Sequence, residues 1–453
     1  MQSKLMGCGA VLALMAGAAW ADGHGSLAFA PGEGGFTWDS YEAFAAAHDL
    51  TGQSISLTGP WTGNDSDLVD SVLAYFAAAT GATVEYSGSE SFEQDIVIAA
   101  QAGSAPNIAV FPQPGLAADL ARRGFVAALD DGTADWLCSN YAAGESWVDL
   151  ATFPGEDGSD GLYGFFYKVD VKSLVWYVPE AFDEEGYDVP ETLEELKALT
   201  DQIVADGGTP WCIGLGSGAA TGWPATDWVE DMLLRTQPPA VYDAWVANEM
   251  KFDDPRVVAA IEEYGFFARN DAYVSGGAAS VANTDFRDSP GGLFEFPPKC
   301  YMHKQATFIP TFFPEGTELG EDVDFFYFPA YAEKDLGSPV LGAGTMFSIT
   351  NDSPATRVFV EFLKTPIAHE IWMAQSGFLT PHKGVNSEMY ANDTLKALGD
   401  ILLGATTFRF DGSDLMPGEI GADAFWKGMV AYTGGEDAAS VAADIQARWD
   451  SIQ

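Results

Sequence analysis

Basic residues are scarce in this 453-residue chain. It contains 21 Lys and Arg against 66 Asp and Glu, which gives a formal net charge of −45 at pH 7. So acidic a chain repels nucleic-acid phosphates and anionic lipid headgroups, and we expect neither as a partner. The net charge does not exclude a small anionic ligand, because a local basic pocket can override the electrostatic field of the whole protein.

Sequence signatures of catalysis are also missing. The five His residues are scattered, and no HExxH, G-x-S-x-G or P-loop motif occurs. Gly214-x-Gly216-x-Gly218 lacks the third glycine position and the charged partner of a dinucleotide-binding fingerprint. Among 66 acidic residues, no carboxylate pair is singled out by its local sequence for glycoside hydrolysis. We therefore expect a non-enzyme without metal or cofactor, and an exported hydrolase is the alternative.

Long apolar runs are confined to the start of the chain. Lys4 precedes an apolar run from Gly9 to Trp20, and Ala19-Trp20-Ala21 forms a small-x-small cleavage site. This pattern predicts a secretory signal peptide over residues 1–21, because the run is too short to span a bilayer. With no later run of sufficient length, we expect a soluble, monomeric protein in the periplasm.

Cysteine is rare as well. Three cysteines, Cys138, Cys212 and Cys300, follow the predicted cleavage site. An exported protein meets an oxidising compartment, where a disulfide can persist. We predict the Cys212–Cys300 pair, because both residues lie in strand-like or strand-edge sequence, and a free Cys138. Three buried thiols are the alternative.

The rest of the chain alternates short strands with helices. Residues 54–58, 83–86 and 107–111 are predicted strands separated by amphipathic helices, and 209–215 is a further predicted strand. Thr192-Leu193-Glu194-Glu195 is a capping box that opens a helix ending near residue 205. Such alternation predicts an α/β fold with mainly parallel sheets flanked by helices.

The chain is long enough for two lobes with a cleft between them. No flexible linker separates the two α/β units, so strand-like crossovers are expected to join them. The predicted division is an N-terminal extension over 22–53, a first lobe over 54–165 and 340–380, a second lobe over 178–328 and 386–453, and hinge crossings near 166–177, 329–339 and 381–385.

Several of the 13 tryptophans stand at element boundaries. Trp61, Trp223 and Trp426 are the clearest, beside glycine or proline in the first two cases. A flat ring at the end of an element is available to a cleft, and rings from distant segments suit the apolar faces of a sugar. For each ring, the alternative is an ordinary place in the core.

Motifs in a consistent order resemble the carbohydrate group of ABC-importer solute-binding proteins, which includes maltose-binding protein. The resemblance spans roughly residues 52–453. Gly59-Pro60-Trp61-Thr62-Gly63, together with residues 220–228, is most similar to the α-glucoside-binding branch. The other segments that carry the resemblance are 75–86, 105–111, 163–182, 306–313, 342–349, 376–381 and 424–426. The resemblance implies a two-lobe protein that captures a sugar and delivers it to the transmembrane subunits of an ABC permease.

Strand ends and the resemblance together suggest the ligand contacts. In open α/β sheets, ligands bind beyond the carboxyl ends of the strands. Structural roles are the alternatives, such as helix capping for Asp227 and a helix N-terminal charge for Glu90. Phe312 or its neighbour Phe313 stands where the family has a stacking Trp. The predicted contacts are Trp61, Glu90, Phe111, Gln113, Lys168, Trp223, Asp227, Phe312, Gly344 and Trp426.

Two lysines complicate this interpretation. Lys168 and Lys172 share one face of a predicted crossing strand among aromatic residues, where the family has an acidic contact. A buried cation needs a carboxylate, hydroxyl or phosphate partner. Either the ligand is a sugar acid or sugar phosphate, or the lysines pair with Asp170 or another acid. Arg287 is a second candidate for binding an anion, and a non-sugar solute such as a polyamine remains an alternative.

Overall fold

A computed structural model describes residues 27–375, 377–404 and 407–452. The predicted signal peptide lies outside these ranges and stays a prediction. No helix within them combines the length and the apolar character needed to cross a bilayer.

Strands and helices alternate along the chain. The strands are β1 (Ser54–Gly59), β2 (Thr83–Gly88), β3 (Ile108–Phe111), β4 (Thr152–Pro154), β5 (Asp160–Leu162), β6 (Phe165–Val171), β7 (Leu174–Tyr177), β8 (Met302–Lys304), β9 (Asp324–Tyr327), β10 (Pro339–Ile349) and β11 (Thr407–Phe410). The α-helices are α1 (Trp38–Ala47), α2 (Asn64–Thr80), α3 (Phe92–Ala102), α4 (Pro114–Arg122), α5 (Asp131–Asn140), α6 (Gly144–Leu150), α7 (Pro179–Glu185), α8 (Leu193–Ala205), α9 (Trp223–Thr236), α10 (Pro239–Val246), α11 (Pro255–Ala268), α12 (Pro354–Leu363), α13 (Pro366–Met373), α14 (Asp393–Gly404), α15 (Gly412–Leu415), α16 (Trp426–Thr433) and α17 (Ala438–Ser451).

The first sheet has the strand order β11-β10-β3-β1-β2, and β6 also pairs with β10. Strands β1, β2 and β3 run parallel, as expected for strands connected by helices. Strand β10 is buried along its whole length and runs antiparallel to both β3 and β6. The α/β class is confirmed, and the carboxyl ends of β1, β2 and β3 share one edge of this sheet.

The second sheet, β8-β7-β9, is antiparallel throughout, so the expectation of a mainly parallel sheet in each lobe was wrong for this part of the chain. The predicted strand at 209–215 is wrong too. Trp211 makes only isolated bridges, to Val274 and Met302. Pro210 has no N–H to donate to a ladder, and a side chain at Gly214 would collide with the Thr284 carbonyl.

The chain passes from the first sheet to the second between β6 and β7. Ser173 holds this crossing: its carbonyl accepts from Phe328 N at 2.8 Å, and its hydroxyl accepts from Leu341 N at 2.8 Å. Three passages of the chain therefore lie side by side here. Strand β11, from the predicted second lobe, pairs with β10 in the first sheet. The lobe and hinge boundaries themselves stay predictions.

Separate apolar cores support the two sheets. Phe76, Val110 and Phe359 belong to the core of the first, and Trp228 and Ile261 to that of the second. A third cluster contains the disulfide between Cys212 and Cys300, whose Cα atoms are 5.4 Å apart. The predicted pairing is confirmed, and Cys138 is free and exposed.

Candidate ligand-binding cleft

A cleft opens where the loops after β1, β2 and β3 face the start of α9. Including the solvent at its mouth, it encloses about 980 Å³, which fits a small molecule better than a polymer. The segments 168–172, 286–287, 343–345 and 411–414 complete its walls. The predicted contacts that line it are Trp61, Glu90, Gln113, Lys168, Trp223, Asp227, Gly344 and Trp426.

Trp61 is fixed by the close packing of β1 on its neighbours. Its backbone N–H donates to the Tyr86 hydroxyl at 2.8 Å. Its ring lies 5.0 Å from that of Trp372 and 6.0 Å from that of Phe347, both in the core. The ring is only 7% exposed and also lines the cleft. Trp61 therefore belongs to both the core and the cleft wall.

Trp223 opens α9, and Gly222 makes this arrangement possible. Gly222 has φ +118°, and a Cβ there would lie 2.2 Å from the carbonyl oxygen of Trp426. This close approach brings two distant tryptophans to one cleft. The Trp223 ring packs 5.0 Å from Phe286 and 6.0 Å from Phe308, so the three rings form an aromatic corner.

Two of the predicted aromatic contacts lie outside the cleft. Phe111 is fully buried and packs 5.3 Å from Phe92, because its side chain leaves β3 toward α3. Phe312 ends a 3₁₀ turn and packs behind Phe286 at 5.8 Å. Phe308, at the start of the same turn, presents its ring to the cleft instead. The turn thus places Phe308 rather than Phe312 at the cleft, and no local sequence signal distinguishes the two.

Both lysines are paired inside the protein. Lys168 Nζ contacts the two carboxylate oxygens of Asp170 at 2.7 and 2.8 Å. Lys172 Nζ contacts Asp227 at 2.8 Å and also Asp411. Burial opposes the charge on Lys172, but these carboxylates outweigh it and raise its pKa well above the ordinary value. The structure thus shows the pairing with acids rather than free ammonium groups.

Oxygens of Asp227, Glu230 and Asp411 lie within 4.8 Å of one another, close enough to hold a metal ion. Lys172 already supplies a cation here, and Glu230 accepts backbone N–H groups of Gly412 and Ser413, each at 2.9 Å. Burial raises the pKa of Asp227 to about 7 and that of Glu230 well above its usual range. The cluster is therefore an ion-pair network that supports the cleft wall.

Three further acids line the cleft without a salt bridge in the described part of the chain. Burial raises the pKa of Asp65 to about 6, of Glu93 to about 7, and of Asp414 well above its usual range. A carboxyl group with a raised pKa keeps its proton to a higher pH, and the protonated form can both donate and accept hydrogen bonds. The sequence did not single them out, because each is one acid among many.

We expect Glu93→Gln to reduce the loss of stability that the protein suffers between pH 5 and pH 8. The folded-state pKa of Glu93, about 7, exceeds the unfolded value near 4.5, so stability is lost as the pH rises between them. The difference in unfolding free energy, wild type minus variant, should fall by roughly 1–3 kcal/mol over this range. Urea denaturation at both pH values measures it. The exposed Glu191→Gln is the control, and an equal change in both variants would contradict the assignment.

The two sides of the cleft also touch directly at its mouth. Arg287 lies 3.3 Å from Glu90 and 3.4 Å from the Thr62 hydroxyl. Nearby, Asn64 Nδ2 donates to the Thr311 carbonyl at 2.6 Å. Glu90, a predicted ligand contact, is therefore engaged across the mouth of the cleft. These contacts bridge the two sides of the cleft.

A cleft between two sheets that are flanked by helices is characteristic of a two-lobe binding protein. The chain matches the sequence profile described as bacterial extracellular solute-binding protein over residues 59–370. It is 62% identical over 457 residues to the alpha-glucosides-binding periplasmic protein AglE of Rhizobium meliloti, covering all of both chains. The protein belongs to the bacterial extracellular solute-binding protein family.

Other relatives agree with this assignment. The osmoprotective compounds-binding protein GgtB of Synechocystis sp. is 39% identical over 398 residues, covering 88% of this chain and 92% of that one. Among solved structures, the bacterial solute receptor AcbH matches with a TM-score of 0.74 at 18% identity, over 88% of this chain and 99% of its own. Maltose-bound MalE3 of T. maritima matches with a TM-score of 0.67 at 15% identity, over 88% and 100%. The structural matches show the two-lobe fold.

Proposed function

We propose that the protein is the periplasmic binding component of an ABC importer, and that it captures an α-glucoside and delivers it to the permease subunits. The observation that carries this proposal is the full-length, 62% identity to a protein named for binding alpha-glucosides. The chemistry of the cleft supports it independently, because rings and hydroxyl-binding groups line the same space.

The aromatic corner of Trp223, Phe286 and Phe308 supplies flat apolar faces for a sugar ring. Asp65, Glu93 and other polar residues line the same cleft and supply groups that can hydrogen-bond to sugar hydroxyls. Sugars combine apolar ring faces with hydroxyl edges, and both features are met here.

The charges of the cleft favour a neutral ligand. Its acids are Asp65, Glu90, Glu93, Asp170, Asp227, Asp411 and Asp414, and its cations are Lys168, Lys172 and Arg287. All three cations contact carboxylates of the protein. A sugar acid or phosphate would have to displace these internal partners, so the account disfavours the anionic ligand that the two lysines first suggested.

Capture involves closure rather than covalent chemistry. In this proposal the lobes rotate about the crossings near 166–177, 329–339 and 381–385, and a ligand that contacts both sides favours the closed state. The hydrogen bonds around Ser173 support a pivot at the first crossing. The transported sugar is released unchanged to the permease.

A thermal-shift panel tests the proposal. Maltose, sucrose and trehalose should raise the melting temperature of the purified protein, whereas β-linked cellobiose, a sugar acid and a polyamine should not. Mass action converts sub-micromolar binding at millimolar ligand into a stabilisation of several kcal/mol. A response confined to the polyamine or the sugar acid would overturn the proposal, as would release of monosaccharides from the disaccharides.

We expect Arg287→Gln to weaken sugar binding by about 2- to 5-fold. Removing this cation breaks its contact with Glu90 at the mouth of the cleft, and a partly exposed ion pair is worth roughly 0.2–1 kcal/mol. Calorimetric titration with the best sugar of the panel measures the change. Arg256→Gln, which breaks an exposed pair with Asp254 elsewhere, should leave the affinity unchanged. A loss in both variants would refute the role of this contact.

A further inference from the structure

Two polar atoms, each on a residue that lines the cleft, are buried and have no hydrogen-bond partner in the described part of the chain. They are Oε1 of Gln113 and Nε1 of Trp426, and the two side chains belong to residues that are 5% and 3% exposed. An amide oxygen can only accept a hydrogen bond, and an indole N–H can only donate one. Leaving either unmet in a buried site costs free energy that a suitable ligand recovers.

The orientation of the Gln113 amide is set by its neighbour. Its Nε2 donates to Glu93 Oε1 at 3.2 Å. The NH₂ end is thereby held at Glu93, and Oε1 is the end of the amide that has no partner among the described residues. Gln113 also precedes Pro114 at the start of α4, which restricts its backbone. Glu93 is therefore a positioning residue for Gln113.

Trp426 is buried at the start of a helix, and its backbone is tightly placed. It follows a π-helical segment, Ile420–Phe425, and starts α16, with its carbonyl against Gly222. Unlike Trp61 and Trp223, its ring contacts no other aromatic ring among the described residues. It also stands outside the apolar clusters that form the cores. Its ring is therefore not engaged with another aromatic ring, and its N–H is not engaged in a hydrogen bond, in the described part of the chain.

We infer that Gln113 and Trp426 orient the ligand as a matched acceptor and donor. The ligand must offer a hydroxyl hydrogen to Gln113 Oε1 and a lone-pair oxygen to Trp426 Nε1. A hydroxyl satisfies either position, whereas a ring or glycosidic oxygen satisfies only Trp426. This inference rests on the proposed sugar-binding function and adds which edge of the sugar is recognised and with what polarity.

The test combines two variants of the full mature chain with calorimetric titration of maltose, sucrose and trehalose. Trp426→Phe retains a ring and removes the N–H, and Gln113→Met retains the approximate shape and removes the acceptor. Each variant should bind the tightest-binding sugar with an affinity lower by about 5- to 50-fold, the range expected for one buried hydrogen bond left unmade. Trp245→Phe is the matched control, because Trp245 Nε1 is also buried and unpartnered but lies outside the cleft, so affinity should stay the same.

Monodeoxy and monofluoro analogues of the same sugar provide a second measurement on the wild-type protein. Fluorine cannot donate a hydrogen bond. Replacing the hydroxyl that meets Gln113 by hydrogen or by fluorine should therefore lower the affinity at least 10-fold relative to the unmodified sugar. Gln113→Met should bind those analogues with the same affinity as the wild type does, because the variant and the analogue remove the same contact.

The outcomes separate the two proposals. If the wild type binds none of the sugars, the proposed function fails. If it binds a sugar and both variants bind equally well, or if no hydroxyl shows the paired deoxy and fluoro loss, this inference is overturned while the proposed function stands.

Discussion

Lys172→Met should destabilise the protein by about 3–5 kcal/mol, the cost of breaking a buried ion pair by removing one partner. Lys172 is 6% exposed and bridges Asp227 and Asp411. Methionine fills much of the same space but leaves two buried carboxylates facing each other. Burial already raises the pKa of Asp227 to about 7, so the variant is expected to take up a proton there. Urea denaturation at pH 8, where protonation relieves least, measures the full effect.

Lys251→Met is the matched control for this prediction. Lys251 pairs with Asp450 at 3.0 Å, with half of each side chain exposed (50% and 57%), and such pairs contribute about 0–1 kcal/mol. The same chemical change is thus made once in the buried network and once at the surface. A similar decrease in the free energy of unfolding in both variants would contradict the prediction. It would show that the buried network around Lys172 does not stabilise the cleft more than a surface ion pair stabilises the protein.

The Trp223 ring is expected to contribute strongly to sugar binding. Trp223→Ala should reduce α-glucoside affinity by roughly 70-fold. A sugar that covers about 100 Å² of the ring face gains about 2.5 kcal/mol at about 25 cal/mol per Å². The same ring also shields the Lys172 ammonium, which lies 5.3 Å from its centroid. Calorimetric titration of the folded variant gives the change directly.

Phe312→Ala provides the aromatic control. Phe312 lies in the same region of the protein and packs behind Phe286, but it does not line the cleft. Its removal should change affinity by no more than about 3-fold. If Phe312→Ala costs more affinity than Trp223→Ala, the ligand contacts the position expected from the family resemblance rather than the aromatic corner seen in the structure.

Local sequence signals predicted the elements that depend on neighbours along the chain. The Thr192 capping box is confirmed, with Glu195 N donating to the Thr192 hydroxyl at 3.2 Å, and α8 ends at Ala205. The parallel arrangement of β1, β2 and β3 followed from their alternation with helices. The Cys212–Cys300 pairing was predicted correctly, although one of its premises, a strand over residues 209–215, was wrong.

Such local signals do not predict contacts between residues that are far apart in the sequence. The partner of Lys172 stands 239 positions away at Asp411, and nothing in the surrounding residues marks it among 66 acids. The antiparallel second sheet depends on which strands meet in space, which short periodic patterns do not specify. Likewise, Trp61 and Gln113, which stand after strand ends, line the cleft, whereas a 3₁₀ turn places Phe308 rather than Phe312 there. Their contact with a ligand stays a prediction.

We expect the cleft to bind a neutral α-glucoside, because its cations are already paired with acids of the protein. The most direct measurement is calorimetric titration of the wild-type protein with trehalose and with trehalose 6-phosphate, and with sucrose and maltose beside their own phosphates. The account predicts that the tightest neutral sugar binds at least about 100-fold more tightly than its phosphate, a difference of about 2.7 kcal/mol. Equal or tighter binding of the phosphate would contradict it and would mean that Lys168, Lys172 or Arg287 exchanges its internal carboxylate for the ligand.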